Sequence, residues 1–180
     1  MRDLRRDARL LVTAYRRHRH ATIERNPPAR PHRGDSVSST NAPLDVEFAR
    51  THLASQPFSV LLGARLVTFD PSAGAVLEID ARPDLLQQNG FLHGGVLAYA
   101  ADNALTYAAG TVLGPAVLTG GMSIEYLRPA QGHTLRAIAR VVHSGRRRAV
   151  CECTLEMVAN DGSTSLCAVA QGTVLPVTAS

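Results

Sequence analysis

Asp102 is the residue whose type and position most strongly suggest chemistry, because it lies in the middle of a long apolar run, His93 to Leu113. Burying an unpaired carboxylate costs on the order of several kcal/mol, so such a residue normally has a specific partner or a chemical task. A structural Asp, bonded to backbone groups or to an Arg, is the alternative. Thr106 lies four residues on, on the same helix face. Its hydroxyl either helps the carboxylate to hold a water or bonds back to a helix carbonyl.

A glycine-containing segment, Gln87-Gln88-Asn89-Gly90-Phe91-Leu92-His93-Gly94-Gly95, leads into this run. Two glycines at a helix start leave backbone N–H groups uncovered at the positive end of the helix dipole. Such groups polarise a carbonyl oxygen and stabilise an oxyanion. His93 either contacts a substrate or bonds locally and braces the loop, and we favour the local bond.

The spacing of these two features is informative. Gly94 and Asp102 are eight residues apart, which is about 12 Å along a helix. One chain does not easily bring both to a single small reacting group, whereas two antiparallel helices of a dimer do. The spacing therefore favours a site shared between subunits.

The elements that must position these residues form an α+β pattern, which begins with a hairpin and one long buried helix and ends with four antiparallel strands. The predicted elements are a short helix over 44–55, strands over Phe58–Phe69 and Val76–Ala81, the helix His93–Leu113, and strands over Ala116–Leu127, Thr134–His143, Ala149–Val158 and Ser165–Leu175. A single sheet wrapping one helix satisfies this order. Its open edge, Ala116–Leu127, is long enough to pair with its copy, so a homodimer is expected.

Charge divides the chain at about residue 43. All 19 basic residues are Arg, and ten of them lie before residue 41 with only four acids, whereas the remaining nine Arg accompany eleven acids. Residues 1–43 are interpreted as a basic, disordered extension, and residues 44–180 as the folded domain. A basic segment is also compatible with nucleic acid or an anionic membrane. We favour a solvated tail, a weak amphipathic helix or an upstream start codon that is not the one used as the explanation, so neither partner is expected.

Three cysteines, Cys151, Cys153 and Cys167, are odd in number and lack the spacing of a metal site. They are interpreted as small core residues in a reducing cytoplasm. The sequence shows no transmembrane run and no secretory signal, and it gives no reason to expect a metal or a cofactor.

The motif Asn89-Gly90-Phe91-Leu92-His93-Gly94-Gly95-Val96, followed by Asp102, resembles that of the hotdog-fold acyl-CoA thioesterases. The resemblance covers roughly residues 45–177. It is greatest to the phenylacetic-acid-degradation type, which is related to the 4-hydroxybenzoyl-CoA thioesterases. It implies a hotdog fold, an obligate dimer or tetramer with shared sites, no metal, and hydrolysis of acyl-CoA to free acid and coenzyme A.

The resemblance also implies residue roles. Asp102 occupies the place of the nucleophile or general base, and the Gly94 N–H that of the donor to the thioester carbonyl. Gln87 falls near that carbonyl, and Asn89 and Gly95 belong to the substrate-binding segment. Thr106 matches a Thr that assists the carboxylate in one branch, and Thr119 a residue that holds the water in another, so the branch stays open.

Coenzyme A carries phosphates, for which Arg is a suitable partner. Arg146-Arg147-Arg148 resembles the place where relatives hold the nucleotide, and Arg128 is another candidate. A solvated charge run is the alternative. The acyl group is not readable, although a pocket lined by Phe58, Leu62, Tyr99 and Tyr107 suits an aryl or medium-length chain.

Three other functions are alternatives to acyl-CoA hydrolysis. A hotdog hydratase or dehydratase needs a different His-containing motif, which is not seen. A non-catalytic acyl-CoA sensor would use the basic extension to bind DNA, but Pro27, Pro28 and Pro31 make that extension a poor helix-turn-helix. A thioesterase scaffold that has lost activity and serves as a binding module is separated from an enzyme only by assay.

Overall fold

The computed structural model describes residues 45–177, so the predicted extension over residues 1–43 lies outside the described part. Two short helices, a six-stranded sheet and one long helix make up this region, with a 3₁₀ turn at Pro83–Leu85. The helices are α1 (Val46–Ala54), α2 (Pro57–Leu62) and α3 (Gly94–Leu113). The strands are β1 (Arg65–Asp70), β2 (Gly74–Asp80), β3 (Val117–Tyr126), β4 (Thr134–Gly145), β5 (Arg148–Val158) and β6 (Thr164–Pro176).

The strands form one antiparallel sheet in the order β1-β2-β4-β5-β6-β3. The predicted α+β class, with one sheet around one central helix, is therefore confirmed. The hairpin β4–β5 continues into β6, so consecutive strands are also neighbours in the sheet. The strand that follows α3 returns to the far side and pairs with β6, from Val117 opposite Pro176 to Tyr126 opposite Ala168. This places β3 at one edge of the sheet and β1 at the other.

The core lies between the inner face of the sheet and α3. The helix buries small residues such as Ala100, Ala104 and Ala108 against larger strand residues such as Leu77 and Leu135. Small side chains on the helix let the sheet approach it closely. The core can therefore be densely packed although the sequence has no Trp and only 4% aromatic residues to fill space. The three cysteines are also buried in this core and free, as predicted. Burial raises the pKa of the Cys151 thiol to about 11 and that of Cys153 to about 12.

One stripe of α3 is not fully buried, although its composition is apolar almost all round. Asp102, Asn103 and Thr106 lie on this stripe and are half-buried. The prediction that the helix is enclosed on every side is therefore too strong. Its alanine-rich faces contact the sheet, whereas its polar stripe lines a cavity together with residues of α1, β1 and β3.

The strand predicted over Phe58–Phe69 was wrong in its first half, which forms α2. Pro57 is the first helical residue, where its fixed φ suits a helix and its missing N–H is not needed. Gly63 ends the helix with a φ of +69°, in the left-handed region that favours glycine. A short apolar run does not distinguish a strand from a helical turn by periodicity, so these two end signals were the decisive ones.

The outer edge of the sheet at β1 is partly occupied by α1. Arg50 of α1 donates from Nε to the carbonyl oxygen of Leu66 (2.9 Å) and from a terminal nitrogen to that of Val67 (3.2 Å). Carbonyl groups satisfied in this way are not available to another strand. Within residues 45–177, no helix has the length and hydropathy needed to cross a membrane.

Candidate active site

The side chain of Asp102 is held by a residue from the neighbouring edge strand. Thr119 Oγ1 on β3 donates to Asp102 Oδ1 at 2.7 Å. Thr106 Oγ1 donates to the backbone oxygen of Asp102 at 2.8 Å and lies 2.9 Å from Thr119 Oγ1. Both predicted threonines thus meet at this carboxylate, but Thr119 contacts the carboxylate itself, whereas Thr106 makes the backbone bond that is usual for a helical Thr.

An irregularity in β3 accompanies this contact. The register between β3 and β6 shifts between Thr119 and Gly121. A bulge of this kind redirects the side chain beside it. A Cβ at Gly120 would lie 3.0 Å from the side chain of Leu175, so the small residue suits the tight approach of the two strands. The bulge therefore accounts for the position of Thr119 next to α3.

Asp102, Thr106 and Thr119 line a cavity of about 310 Å³ between α1, the C-terminal half of α3 and the start of β3. This volume lies at the lower end of the range of about 300–1,000 Å³ for ligand sites. Its aromatic lining consists of Phe48, His52, Phe69 and Tyr107. A carboxylate at the edge of a mainly apolar cavity is an arrangement suited to a substrate with a reactive polar group and an apolar tail.

Of the four residues predicted to line the acyl pocket, only Tyr107 lines this cavity. Leu62 is buried in the core. Phe58 is 58% exposed, and its ring packs edge-on against Tyr99 at 5.3 Å. The physical reason is the helical turn α2, which rotates Phe58 and Leu62 away from the positions that a strand would have given them.

The two glycines at the N-terminus of α3 differ in whether their backbone N–H groups are hydrogen-bonded. His93 caps the helix, because its Nδ1 accepts the Gly95 N–H at 2.9 Å. This is the local bond that the sequence favours for His93, and it occupies the donor of Gly95. The Gly94 N–H has no acceptor among residues 45–177, which leaves it available to a ligand. Tyr126 Oη donates to the Gly94 carbonyl oxygen at 2.9 Å and ties this helix end to β3.

The loop before α3 has a defined backbone. Leu86 and Leu92 form an isolated antiparallel bridge, and within it the Gln87 N–H donates to the Phe91 oxygen at 2.8 Å. Gly90 has a φ of +77°, which closes the turn. The Gln87 side chain is half-buried, and that of Asn89 is exposed. The predicted loop residues therefore lie together at the helix start, on the side of Gly94.

Gly94 and Asp102 are not brought together within one chain. They are the first and ninth residues of α3, about 12 Å apart along its axis. The cavity is lined by Asp102 and by no residue of the 87–95 loop.

The predicted phosphate-binding arginines lie at two ends of β3. Arg148 begins β5 and precedes Ala149. Val174 of β6 pairs with Ala149 on one side and with Thr119 of β3 on the other, so Arg148 lies at the Thr119 end of the sheet. Arg146, Arg147 and Arg148 are thus at the end of the sheet near Asp102. Arg128 follows the other end of β3, near Gly94. All four are exposed, and none forms an ion pair within residues 45–177.

Sequence reasoning missed several polar residues beside the cavity. Gln56 and His52 line it, and Ser59 is 1% exposed behind it. Ser59 was detectable as a polar residue inside an apolar run, but one of its two partners, Tyr99, lies far away in the sequence and gave no signal. In the described region, no group of three or more His, Cys, Asp or Glu side chains has an arrangement that could hold a metal ion.

A long helix wrapped by one antiparallel sheet is the architecture of the hotdog class of thioesterase folds. The thioesterase superfamily model matches residues 89–161. A crystal structure is known for a thioesterase family protein of Silicibacter pomeroyi whose sequence is 32% identical to this chain. The two structures superpose with a TM-score of 0.68, and the match covers 72% of this chain and 96% of that one. The chain therefore belongs to the thioesterase superfamily, and its similarities are of the PaaI type.

The PaaI resemblance appears in both sequence and structure. The acyl-coenzyme A thioesterase PaaI of Escherichia coli is 33% identical over 90 residues, which are 49% of this chain. The aligned part spans 63% of the length of that relative, so its full activity does not transfer with the match. The solved structure of E. coli PaaI, from the phenylacetic acid degradation operon, is 25% identical with a TM-score of 0.61 and covers 74% of this chain.

Proposed function

We propose that the protein hydrolyses acyl-CoA thioesters to the free acid and coenzyme A, with Asp102 as the reacting carboxylate. The observation that carries this proposal is the state of that carboxylate. Thr119 occupies Oδ1, while Oδ2 has no hydrogen-bond partner among residues 45–177. The carboxylate thus has one anchored oxygen and one oxygen available for chemistry at the edge of a cavity. The similarity to the E. coli thioesterase PaaI supports the choice of acyl-CoA.

As a general base, Asp102 Oδ2 takes a proton from water while the water oxygen attacks the thioester carbon. The carbonyl oxygen becomes an oxyanion, which a backbone N–H such as that of Gly94 stabilises. The carbon–sulfur bond then breaks, and the departing thiolate takes the proton from Asp102. As a nucleophile, Oδ2 itself attacks the thioester carbon, the carbon–sulfur bond breaks, and the coenzyme A thiolate leaves and takes a proton from solvent. Water then hydrolyses the resulting mixed anhydride, which releases the free acid and restores Asp102.

The site is completed by a second copy of the chain in this proposal. β3 is an edge strand, and pairing two copies antiparallel about the middle of β3 sets the Thr119 end of one against the Tyr126 end of the other. Tyr126 is bonded to Gly94. Gly94 and Gln87 of the partner subunit then approach Asp102, which removes the separation of about 12 Å within one chain.

The same pairing brings the two arginine groups to one end. Arg146, Arg147 and Arg148 of one subunit lie near its Thr119, while Arg128 of the partner subunit lies beyond its Tyr126. Exposed arginines without ion pairs are suited to the phosphates of coenzyme A. Asn89 and Gly95 belong to the same substrate-binding end in this proposal, with a homodimer as the minimum assembly and a tetramer as a larger form.

The experiment follows free thiol release from acetyl-, hexanoyl-, palmitoyl-, benzoyl- and phenylacetyl-CoA by the wild type and by Asp102→Asn. Asp102→Asn keeps the size of the side chain but removes the base, so activity should fall by roughly a hundredfold or more. Asp161→Asn is the matched control, because Asp161 lies in the exposed turn between β5 and β6, where it bonds only to Ser163 in the described region. This control should retain wild-type activity.

Two results would contradict the proposal. If Asp102→Asn and wild type release thiol equally, Asp102 is not the reacting group. If the wild type binds acyl-CoA in calorimetry but releases no thiol, the alternative of a non-catalytic binding module replaces hydrolysis.

A further inference from the structure

A chain of side-chain hydrogen bonds runs behind the cavity wall formed by α1 and α3. Tyr99 Oη donates to Ser59 Oγ at 2.6 Å, and Ser59 Oγ donates to Gln56 Oε1 at 2.8 Å. The amide nitrogen of Gln56 faces Tyr107 Oη at 3.5 Å, which is a long contact. Nothing in the proposed hydrolysis uses this chain.

The hydrogen bonds in this series are all donated in the same direction, from Tyr99 toward Tyr107. A hydroxyl has a single proton to donate, so Ser59, which accepts from Tyr99, gives its own proton to Gln56 Oε1. The Gln56 amide then presents N–H groups toward the Tyr107 oxygen, and the hydroxyl proton of Tyr107 must point elsewhere. Among residues 45–177, that proton has no acceptor. Tyr107 is 8% exposed and lines the cavity, so the cavity is where an acceptor can be supplied.

The ring of Tyr107 is held in place by other rings. His52 meets it edge-on with centroids 6.4 Å apart, and Phe69 does so at 6.3 Å. A donor on a fixed ring loses little freedom when it binds, which favours selective recognition. Burial raises the pKa of Tyr107 to about 12, so the phenol stays protonated and able to donate at neutral pH.

The charge of the cavity restricts which acceptors suit it. Asp102 lines the cavity, whereas no Arg does among the described residues, and the sequence contains no Lys. A second carboxylate in the substrate would therefore be repelled by Asp102 without a permanent cation to offset it. A neutral oxygen avoids that repulsion and still accepts the Tyr107 proton.

We propose, on the basis of the function proposed above, that Tyr107 is a specificity-determining residue and that the cavity prefers acyl groups bearing a neutral oxygen acceptor, such as a hydroxyl, ether or ketone, over the matching hydrocarbons. A site that offers a buried hydrogen-bond donor discriminates against an analogue that leaves the donor unpaired.

The test compares hexanoyl-CoA with 6-hydroxyhexanoyl-CoA and octanoyl-CoA with 8-hydroxyoctanoyl-CoA. For at least one chain length, wild-type kcat/KM should favour the hydroxylated member by about three- to tenfold, the range of one neutral hydrogen bond. Tyr107→Phe keeps the ring between His52 and Phe69 but removes the donor, so this ratio should fall to about one or below. Tyr99→Phe is the matched control, since it removes a hydroxyl that does not line the cavity and leaves the Ser59–Gln56 bond intact.

A wild type that shows no preference at either length overturns the inference, as does an unchanged ratio in Tyr107→Phe. An equal fall of the ratio in Tyr99→Phe also overturns it, because the effect is then general loosening. Dissociation constants for the same four thioesters, measured by calorimetry on Asp102→Asn and on Asp102→Asn/Tyr107→Phe, give the ratio without turnover. If the wild type does not hydrolyse any of the thioesters, the proposed function is refuted, while the dissociation constants still test whether Tyr107 selects the hydroxylated acyl groups.

Discussion

At the scale of single residues, the two threonines beside Asp102 differ in what their protons contact. Thr119 donates to the carboxylate oxygen and thereby leaves the other oxygen free. Thr106 donates to the backbone oxygen of Asp102, a bond that a helix of the same sequence makes in many contexts. The sequence leaves open which threonine assists Asp102, and the structure shows that Thr119 contacts its carboxylate whereas Thr106 contacts its backbone.

Replacing each threonine by Val, which has the same shape without the hydroxyl, separates these contributions. Thr119→Val should lower kcat for acyl-CoA hydrolysis by about ten- to a hundredfold, because the carboxylate loses a charge-assisted hydrogen bond that orients it. Thr106→Val should lower kcat by less than about threefold, since it loses a backbone bond outside the reaction. Steady-state thiol release measures both, and a larger loss in Thr106→Val would reverse the assignment.

The sequence could predict Asp102 but not how it is held. A carboxylate inside an apolar run is visible without a structure, because its burial demands an explanation. Thr119 lies 17 residues away on another element, and its approach depends on a bulge between Thr119 and Gly121 that leaves no clear pattern in the sequence. The family resemblance singled out Thr119, whereas spacing alone did not.

At the scale of elements, the long helix follows from its apolar composition and the last four strands from strand-like runs joined by short connections, while α2 follows from neither. The run from Phe58 to Phe69 is apolar and short, and the helix ends that divide it are Pro57 and Gly63. The turn that follows β1 carries a signal in its sequence, Asp70-Pro71-Ser72-Ala73-Gly74, where Asp70 Oδ1 accepts the backbone N–H groups of Ser72 and Ala73. Local turn chemistry is thus readable where a polar side chain signals it.

Gly74 should be the most sensitive of the turn glycines to substitution. It has a φ of +80°, and a Cβ built on it would lie 2.0 Å from the carbonyl oxygen of Ala139 on β4. Gly162 has a φ of +82° with no atom within 4 Å. Gly162→Ala should therefore lower the free energy of unfolding by about 1–2 kcal/mol from strain alone. Gly74→Ala should lower it by at least about 3 kcal/mol, because backbone must also move.

Urea unfolding of the two variants and the wild type gives the comparison directly. Similar losses in both would mean that the β1–β2 turn separates from β4 at little cost.

At the scale of the whole molecule, the proposed sharing of the site between two subunits predicts complementation between two inactive variants. Gly94→Pro removes the free N–H, yet Pro suits the first helical position, and the preceding His93 already has an extended ψ of 135°. Alone it should lower kcat by about a hundred- to a thousandfold, as for loss of an oxyanion donor. Gly94→Ala, which keeps the N–H and whose Cβ would lie 3.5 Å from the Tyr126 ring, is the matched control.

Mixing Gly94→Pro with Asp102→Asn after unfolding and refolding together should restore about a quarter of wild-type activity, because half of the dimers are mixed and each has one intact site. The measurement is thiol release before and after subunit exchange. Activity that stays at the level of the separate variants would contradict a site built from Asp102 of one subunit and Gly94 of the other.

The Arg50 contacts on β1 have a consequence for how far such assembly can proceed. With the carbonyls of Leu66 and Val67 occupied, the β1 edge offers fewer acceptors to another strand, and β3 is the other edge of the sheet in the described region. In the language of polymer chemistry, the proposed dimer treats the chain as monofunctional: β3 joins two copies, and the occupied carbonyls of β1 disfavour a second strand pairing. A molecule with both edges open would be a monomer for chain growth, so the guanidinium group of Arg50 should act against growth of the sheet beyond a pair.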